Sequence, residues 1–260
     1  MKLQLYQALQ YVEYYLKKED RHSLQSPFAY RIYQGLKSYY LKNKHQFPEI
    51  EQMRNSLSLD ESKLFVKDLG AGSHQFSSPE RKISDIVRYS TSSKKYALLY
   101  QYFCSLTPAQ TVLELGTCLG VNTCYLAEVT QGKLYTFEGA DALINQAQKH
   151  IHSNKKIHVI PGNISETLPP FLKENHSIDF AFVDANHTYG HTMSYLSQLM
   201  ECSHEETILV IGDIHWSKEM NRAWYQIIQS NHIRFSLDFY ECGVLFFKEG
   251  LEKGHHVLHY

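Results

Sequence analysis

From about residue 94 to residue 247, short apolar runs alternate with longer segments of helical period. Strands are predicted at Thr111–Leu115, Lys133–Phe137, Ile157–Ile160, Phe180–Val183, Thr207–Ile211, Arg234–Tyr240 and Val244–Phe247. Helices are predicted at about 94–106, 119–130, 140–152, 164–174, 188–202 and 217–230. Five strand–helix units in series imply a parallel sheet with helices on both faces. The last two strands are joined by a short link with Glu241-Cys242-Gly243, which implies an antiparallel hairpin at the sheet edge. The expected fold class is therefore α/β, with seven strands: five parallel units and a C-terminal hairpin.

The first 94 residues have a different texture. Leu3, Leu5, Tyr6, Leu9, Val12, Tyr15 and Leu16 gather near one face of a helix over 3–18, the face expected to pack. A second helix is predicted over 27–43, because Ser26 is an N-cap residue and Pro27 suits the first helical position. Residues 44–64 are polar and mixed. A weaker helical pattern (Ile83, Ile86, Val87) follows between serine-rich breaks. We read 1–94 as an N-terminal helical extension and 95–260 as the domain built on the sheet.

Composition narrows the class. Lys and Arg number 26 against 27 Asp and Glu, which argues against a nucleic-acid binder. No run approaches the ~20 apolar residues of a membrane span. The five cysteines form no C-x-x-C pair and read as reduced thiols, so a cytoplasmic location is expected. A homo-oligomer stays open.

Two glycine turns compete for one cofactor: Asp68-Leu69-Gly70-Ala71-Gly72 and Gly116-Thr117-Cys118-Leu119-Gly120. A nucleoside cofactor in such a sheet needs a strand ending in a turn without bulk, then a helix, then a strand ending in a carboxylate for the ribose hydroxyls. The second turn has all three, with Glu138 as the carboxylate. The first runs into Ser77-Ser78-Pro79 and no acidic strand end follows. It reads either as a turn folded over the open end of the sheet, with Asp68, Ser73 and His74 as pocket residues, or as a plain connector. The spacing Gly-x-x-x-Gly departs from the G-x-G-x-x-G of dinucleotide sites and suits a nucleoside without a pyrophosphate. Gly162-Asn163, after the third strand, reads either as an ordinary turn or as a pair placed to border the adenine.

The stretches Val112–Thr123, Tyr135–Gly139, Asp179–His187 and Leu209–Trp216 resemble the class I S-adenosylmethionine-dependent O-methyltransferases, in particular the catechol and caffeoyl-CoA group. The resemblance covers about residues 95–248, and the N-terminal part is similar to bacterial methyltransferases of this class. It implies a Rossmann-like methyltransferase sheet, S-adenosylmethionine as cofactor and a small-molecule acceptor. Carried over by position, it implies that Glu114, Gly116, Cys118 and Asn122 surround the methionine moiety, with Gly120 closing the cofactor-binding turn, that Glu138 holds the ribose, and that Gly139, Gly162 and Asn163 border the adenine. Asp184 would lie near the transferred methyl. In metal-dependent members that Asp and an Asp-Asn pair bind a divalent cation; here Asp213 matches the Asp, Ile214 replaces the Asn, and His215 follows. The family's catalytic Lys is His187 here.

Methyl transfer needs an acceptor that is aligned and deprotonated. A His is suited to taking a hydroxyl proton near neutral pH. The expected catalytic set is thus His187, Asp184 and Asp213, and the candidate metal ligands are Asp184, Asp213 and His215. His187 and His191 would share a face if their segment were helical. Trp216 is read as either a cover over the acceptor pocket or a core residue. Alternatives that stay open are N- or S-methylation, a macromolecular acceptor, and an inactive cofactor-binding module.

Overall fold

The computed structural model describes residues 2–66 and 78–260, with only the main chain of Lys2. Three helices come first: α1 (Lys2–Lys17), α2 (Pro27–Asn43) and α3 (Pro48–Ser58). Strands β1 (Lys63–Phe65) and β2 (Glu80–Lys82) pair antiparallel, and α4 (Ile83–Ser90) and α5 (Lys94–Ser105) lead into the main sheet. There β3 (Thr111–Leu115), α6 (Val121–Val129), β4 (Lys133–Glu138), α7 (Asp141–Ile151), β5 (Ile157–Pro161), α8 (Ile164–Glu174), β6 (Ile178–Val183), α9 (Tyr189–Glu201), β7 (Ser203–Gly212) and α10 (Lys218–Ile228) alternate as expected. The chain closes with β8 (Phe235–Asp238), β9 (Cys242–Phe246) and β10 (Gly254–Val257).

The spatial order is β10-β8-β9-β7-β6-β3-β4-β5. Strands β3 to β7 are mutually parallel, and β9 runs antiparallel to both β7 and β8. The seven expected strands therefore form, and β10 adds an eighth, parallel to β8. The sequence order reverses between β3 and β6, and ligands of open α/β sheets bind at the carboxyl ends of strands beside such a switch point.

Each face of the sheet is apolar because parallel strands are buried on both sides. One face packs Leu113, Ala181 and Leu209 against α8, α9 and α10. The other packs Val112, Phe180 and Val210 against α5 and also against Ala29, Tyr33 and Leu36 of α2 and Leu258 and Tyr260 of the C-terminus. The N-terminal helices thus share the sheet's own core. Helix α3 forms in the stretch that reads as polar and mixed, since it buries only Ile50 and Leu57, too sparse a stripe to stand out.

Helix α1 forms close to its expected bounds but docks by the opposite face. Tyr14 is buried and Tyr6, Gln7 and Gln10 are partly buried, while Leu5, Leu9, Val12 and Leu16 are more than half exposed. Hydrogen bonding decides the orientation. Tyr14 donates to the Leu258 carbonyl at 2.7 Å, Gln7 Nε2 to the Trp216 carbonyl at 3.0 Å, and Asn221 Nδ2 to Gln10 Oε1 at 2.8 Å.

Candidate active site

The carboxyl ends of β3, β4 and β5 meet in one hydrogen-bonded turn system. Gly116 N and Thr117 N both donate to the Phe137 carbonyl, at 3.0 and 3.1 Å, and Gly162 N donates to the Glu138 carbonyl at 2.9 Å. Gly116 has φ +108°, and a Cβ there would press on the main-chain carbonyl of Asp184. Only glycine takes that backbone without strain. Gly120, at φ +80°, opens α6; a Cβ on it would lie 3.2 Å from Ala147 Cβ, so its absence lets α6 approach α7.

Glu138 is held from two sides. Cys118 N donates to Oε2 and Ala140 N to Oε1, each at 3.0 Å. Burial pushes its carboxyl up, and the N–H groups of Ala140, Cys118 and Gly139 pull it back. A carboxylate offers about four acceptor sites, so acceptor capacity remains for a hydroxyl donor. The Cys118 backbone lies in the left-handed region at φ +51°, which turns its N–H toward Glu138. Burial, then the neighbouring Glu138, pushes its thiol up to about 12, so it stays protonated. Asn163 caps α8 by accepting from Ser165 N at 3.1 Å.

Glu114 is fully buried in β3. Its oxygens accept from Asn122 Nδ2 at 2.9 Å, Thr123 Oγ1 at 2.5 Å and Thr136 Oγ1 at 2.7 Å. Burial still dominates and raises its carboxyl to about 7. Asn122 turns its other amide atom, Oδ1, into a buried position where no described residue satisfies it. A buried orphan acceptor is costly, and a bound ligand's donor would relieve it. The orphaned Asn122 oxygen, the open lone pairs of Glu138 and the bare turn at Gly116 fit a nucleoside amino acid such as S-adenosylmethionine.

Beside this cradle lie the ends of β6 and β7. Asp184 and His187 follow β6, and Asp213 follows β7. His187 stands between the carboxylates, with Nε2 3.8 Å from Asp184 Oδ1 and Nδ1 3.7 Å from Asp213 Oδ2. Asn186, His187 and Asp213 all have left-handed backbones, at φ +64°, +39° and +58°. Such conformations cost energy, and here they turn the imidazole back between the two acids. Burial raises Asp184 to about 6; His187 lowers it and Asp213 raises it. Ligand atoms of Asp184, His187 and Asp213 all lie within 4.8 Å of one another. Those three donors fit an open site for one cation. The two ring nitrogens face different carboxylates, however, so one cation could take only one of them.

His215 does not join them, which corrects the candidate metal set. It is buried, with Nε2 2.7 Å from Asp238 Oδ2 and Nδ1 2.8 Å from Asn221 Nδ2, and it stacks on Tyr240. Both nitrogens are engaged, so neither is free to ligate. His191 is a second correction. Helix α9 starts only at Tyr189, so His187 lies outside it, and His191 Nδ1 pairs with Thr188 Oγ1 at 2.8 Å instead. Trp216 is half-buried, 5.9 Å from His187 ring to ring, and its main-chain N–H donates to the Asp213 carbonyl at 2.9 Å. The core tryptophan is Trp224.

Two participants escape a reading of motifs. Gly212 ends β7, where a Cβ would strike the Asp184 carboxylate, with Cγ at 3.0 Å; its position just before Asp213 was the available signal. Gln7 braces the Trp216 carbonyl and, through its own carbonyl, Tyr240 Oη at 2.9 Å; nothing local marks it. Asp68, Ser73 and His74 lie outside the described residues. A groove of about 280 Å3 lined by Met200, His204, Arg234 and Glu249 shares no residue with this site.

The model of a methyltransferase-domain family matches residues 113–214. Protein-L-isoaspartate O-methyltransferase of Pyrococcus horikoshii is 36% identical over 67 residues, which is 25% of this chain and 30% of that protein. The chain thus spans under a third of that relative's length. Two solved structures share the fold: a SAH-bound Podospora anserina methyltransferase (14% identity, TM-score 0.58, covering 87% of this chain and 97% of that one) and an O-methyltransferase of Bacillus cereus with SAH (15%, 0.54, 83% and 99%). SAH is S-adenosylhomocysteine, the spent cofactor. The sheet order and the turn at Gly116 agree with the family match: residues 113–214 of this chain match a methyltransferase domain.

Proposed function

We propose that the protein transfers a methyl group from S-adenosylmethionine to a hydroxyl of a small molecule, with His187 as the base. The observation that carries this reading is the His187 imidazole set between Asp184 and Asp213, beside the cradle formed by Gly116 and Glu138. Glu138 takes the two ribose hydroxyls, Asn122 Oδ1 accepts from the methionine end, and Gly162 and Asn163 border the adenine. The bound cofactor supplies a methyl already activated on a sulfonium. What remains for the protein is alignment and removal of one proton, and alignment alone can contribute roughly 7–11 kcal/mol.

His187 receives the acceptor's hydroxyl proton on one ring nitrogen while the carboxylate facing the other nitrogen stabilises the imidazolium. That is the arrangement in which a third group orients a base. The oxygen that His187 has freed of its proton would be the acceptor of that methyl, with S-adenosylmethionine held at Gly116 and Glu138. Trp216 and Gln7 make the N-terminal helix part of the acceptor wall.

A second reading has Asp184, Asp213 and one nitrogen of His187 holding a divalent cation, favoured by the closeness of their ligand atoms. Such an ion would lower the acceptor's pKa and orient it. The protein's location is read as the cytoplasm, supported by five free cysteines; among the described residues no helix is long and apolar enough to cross a membrane.

The test is calorimetry with S-adenosylhomocysteine and NAD, followed by labelled-methyl transfer to a panel of phenols, catechols and aliphatic alcohols. Binding of S-adenosylhomocysteine and O-methyl products are expected. Binding of NAD alone would overturn the reading. Turnover that survives EDTA eliminates the cation, and turnover that EDTA abolishes and Mg²⁺ or Mn²⁺ restores establishes it.

A further inference from the structure

We propose that Arg54 and Thr91 form the seat for the α-carboxylate of the bound cofactor, so that the N-terminal extension closes the methionine end of the cofactor site. The proposal rests on the methyltransferase reading above. It starts from three buried polar atoms that no described residue satisfies: Arg54 Nη2, Thr91 Oγ1 and Asn122 Oδ1. A buried donor or acceptor left unpaired is costly, most of all on a charged group.

Arg54 lies on α3 and is clamped at its other two nitrogens. Nε pairs with Glu51 Oε1 at 3.2 Å, and Nη1 donates to the Ser92 carbonyl at 2.6 Å. The same Glu51 oxygen accepts from Tyr125 Oη at 2.7 Å. Tyr125 stands about one turn after Asn122 on α6. Thr91 directly precedes Ser92 in the link between α4 and α5. One packing unit joins these elements to the turn at Gly116: Ile50 of α3, Ile86 of α4, Leu98 of α5 and Leu119 beside Gly120.

The three atoms divide as an α-amino acid requires. Asn122 Oδ1 is an acceptor and suits the ammonium. Arg54 Nη2 and the Thr91 hydroxyl are donors and suit the carboxylate. The Arg54 side chain is only 14% exposed, so solvent ions screen its charge little. Its two clamps already fix the guanidinium, which lowers the ordering cost of binding. An acidic acceptor would offer the same carboxylate chemistry. Arg54, however, is tied through Glu51 to α6, the helix that follows the cofactor strand β3, whereas His187 follows β6.

The experiment is calorimetry of the full chain with S-adenosylmethionine and with decarboxylated S-adenosylmethionine, which lacks only the carboxylate. The wild type is expected to favour S-adenosylmethionine roughly 10- to 100-fold, as hydrogen bonds to a charged group imply. Arg54→Met should erase most of that preference by weakening S-adenosylmethionine alone, and Arg54→Lys should recover part of it. Thr91→Val, nearly isosteric, should lose a smaller part, and it decides the question should Arg54→Met not fold. A wild type that binds the two ligands equally overturns the proposal. So does Arg54→Met or Thr91→Val weakening both ligands alike, the mark of a structural role. Unchanged cofactor affinities in both variants, with a raised KM for carboxylate-bearing acceptors, overturn it in favour of an acidic acceptor. A wild type that binds neither ligand overturns the methyltransferase reading itself, and this proposal with it.

Discussion

The carboxylate of Asp184 occupies the space that a side chain on Gly212 would fill, with Cγ 3.0 Å from the position of the absent Cβ. The two residues end neighbouring strands, so the bare end of β7 sets where the acid at the end of β6 can stand. Gly212→Ala must push that carboxylate away from His187. We expect kcat to fall roughly 100-fold, the usual effect of displacing a catalytic group by about 1 Å. S-adenosylhomocysteine affinity should change far less, since Glu138 and Gly116 are untouched. Steady-state kinetics and calorimetry on the same variant measure both.

Glu138→Ala removes an acceptor that two backbone N–H groups hold in place. Two hydrogen bonds to a charged group at about 1.5–3 kcal/mol each correspond to a loss of cofactor affinity of roughly 100-fold or more. Calorimetry that returned an unchanged Kd would remove the ribose contact from this residue.

His187→Gln retains the size and polarity of the side chain but cannot accept the proton. A fall in kcat of roughly 10²–10⁴-fold is expected, with the Kd for S-adenosylhomocysteine nearly unchanged. If kcat stayed at the wild-type value, the base would have to be sought elsewhere.

Glu114 makes stability depend on pH. Its carboxyl is raised from about 4.5 to about 7 by burial. A raised carboxyl favours the folded state when protonated, so that contribution is complete below about 4.5 and is lost as pH rises to about 7. The span corresponds to on the order of 3 kcal/mol. Glu114→Gln should flatten the stability curve between those pH values, as read from urea denaturation at pH 5 and pH 8 without cofactor.

Asp238 is buried and serves two donors, His215 Nε2 at 2.7 Å and Tyr240 N at 2.8 Å. Asp238→Ala leaves both without a partner in the interior. Removing one member of such a buried pair costs about 3–5 kcal/mol, visible as a lower denaturation midpoint. Because Tyr240 carries the carbonyl of Gln7, α1 should become the first segment to exchange its amide hydrogens.

The sequence by itself determined the sheet and the glycine turn at Gly116 that we propose holds the cofactor. Period-two and period-3.6 patterns are local properties of the chain, and they place β3 to β9 within a few residues. The contest between the two glycine turns was also decided locally, because a cofactor turn must be followed by a helix and an acidic strand end, and only Gly116 is. Tertiary structure decided what depends on non-local hydrogen bonds. His187 and His215 are both histidines beside an acidic strand end. One faces Asp184 and Asp213, while the other is drawn into the interior by Asp238 and Asn221. Helix α1 carries the same lesson, since its apolar stripe predicts a buried face but Tyr14, Gln7 and Gln10 find partners in the segment after β10, the loops after β7 and β8, and α10. Hydrophobic period reveals that a helix has two faces; which one is turned inward depends on the groups it meets there.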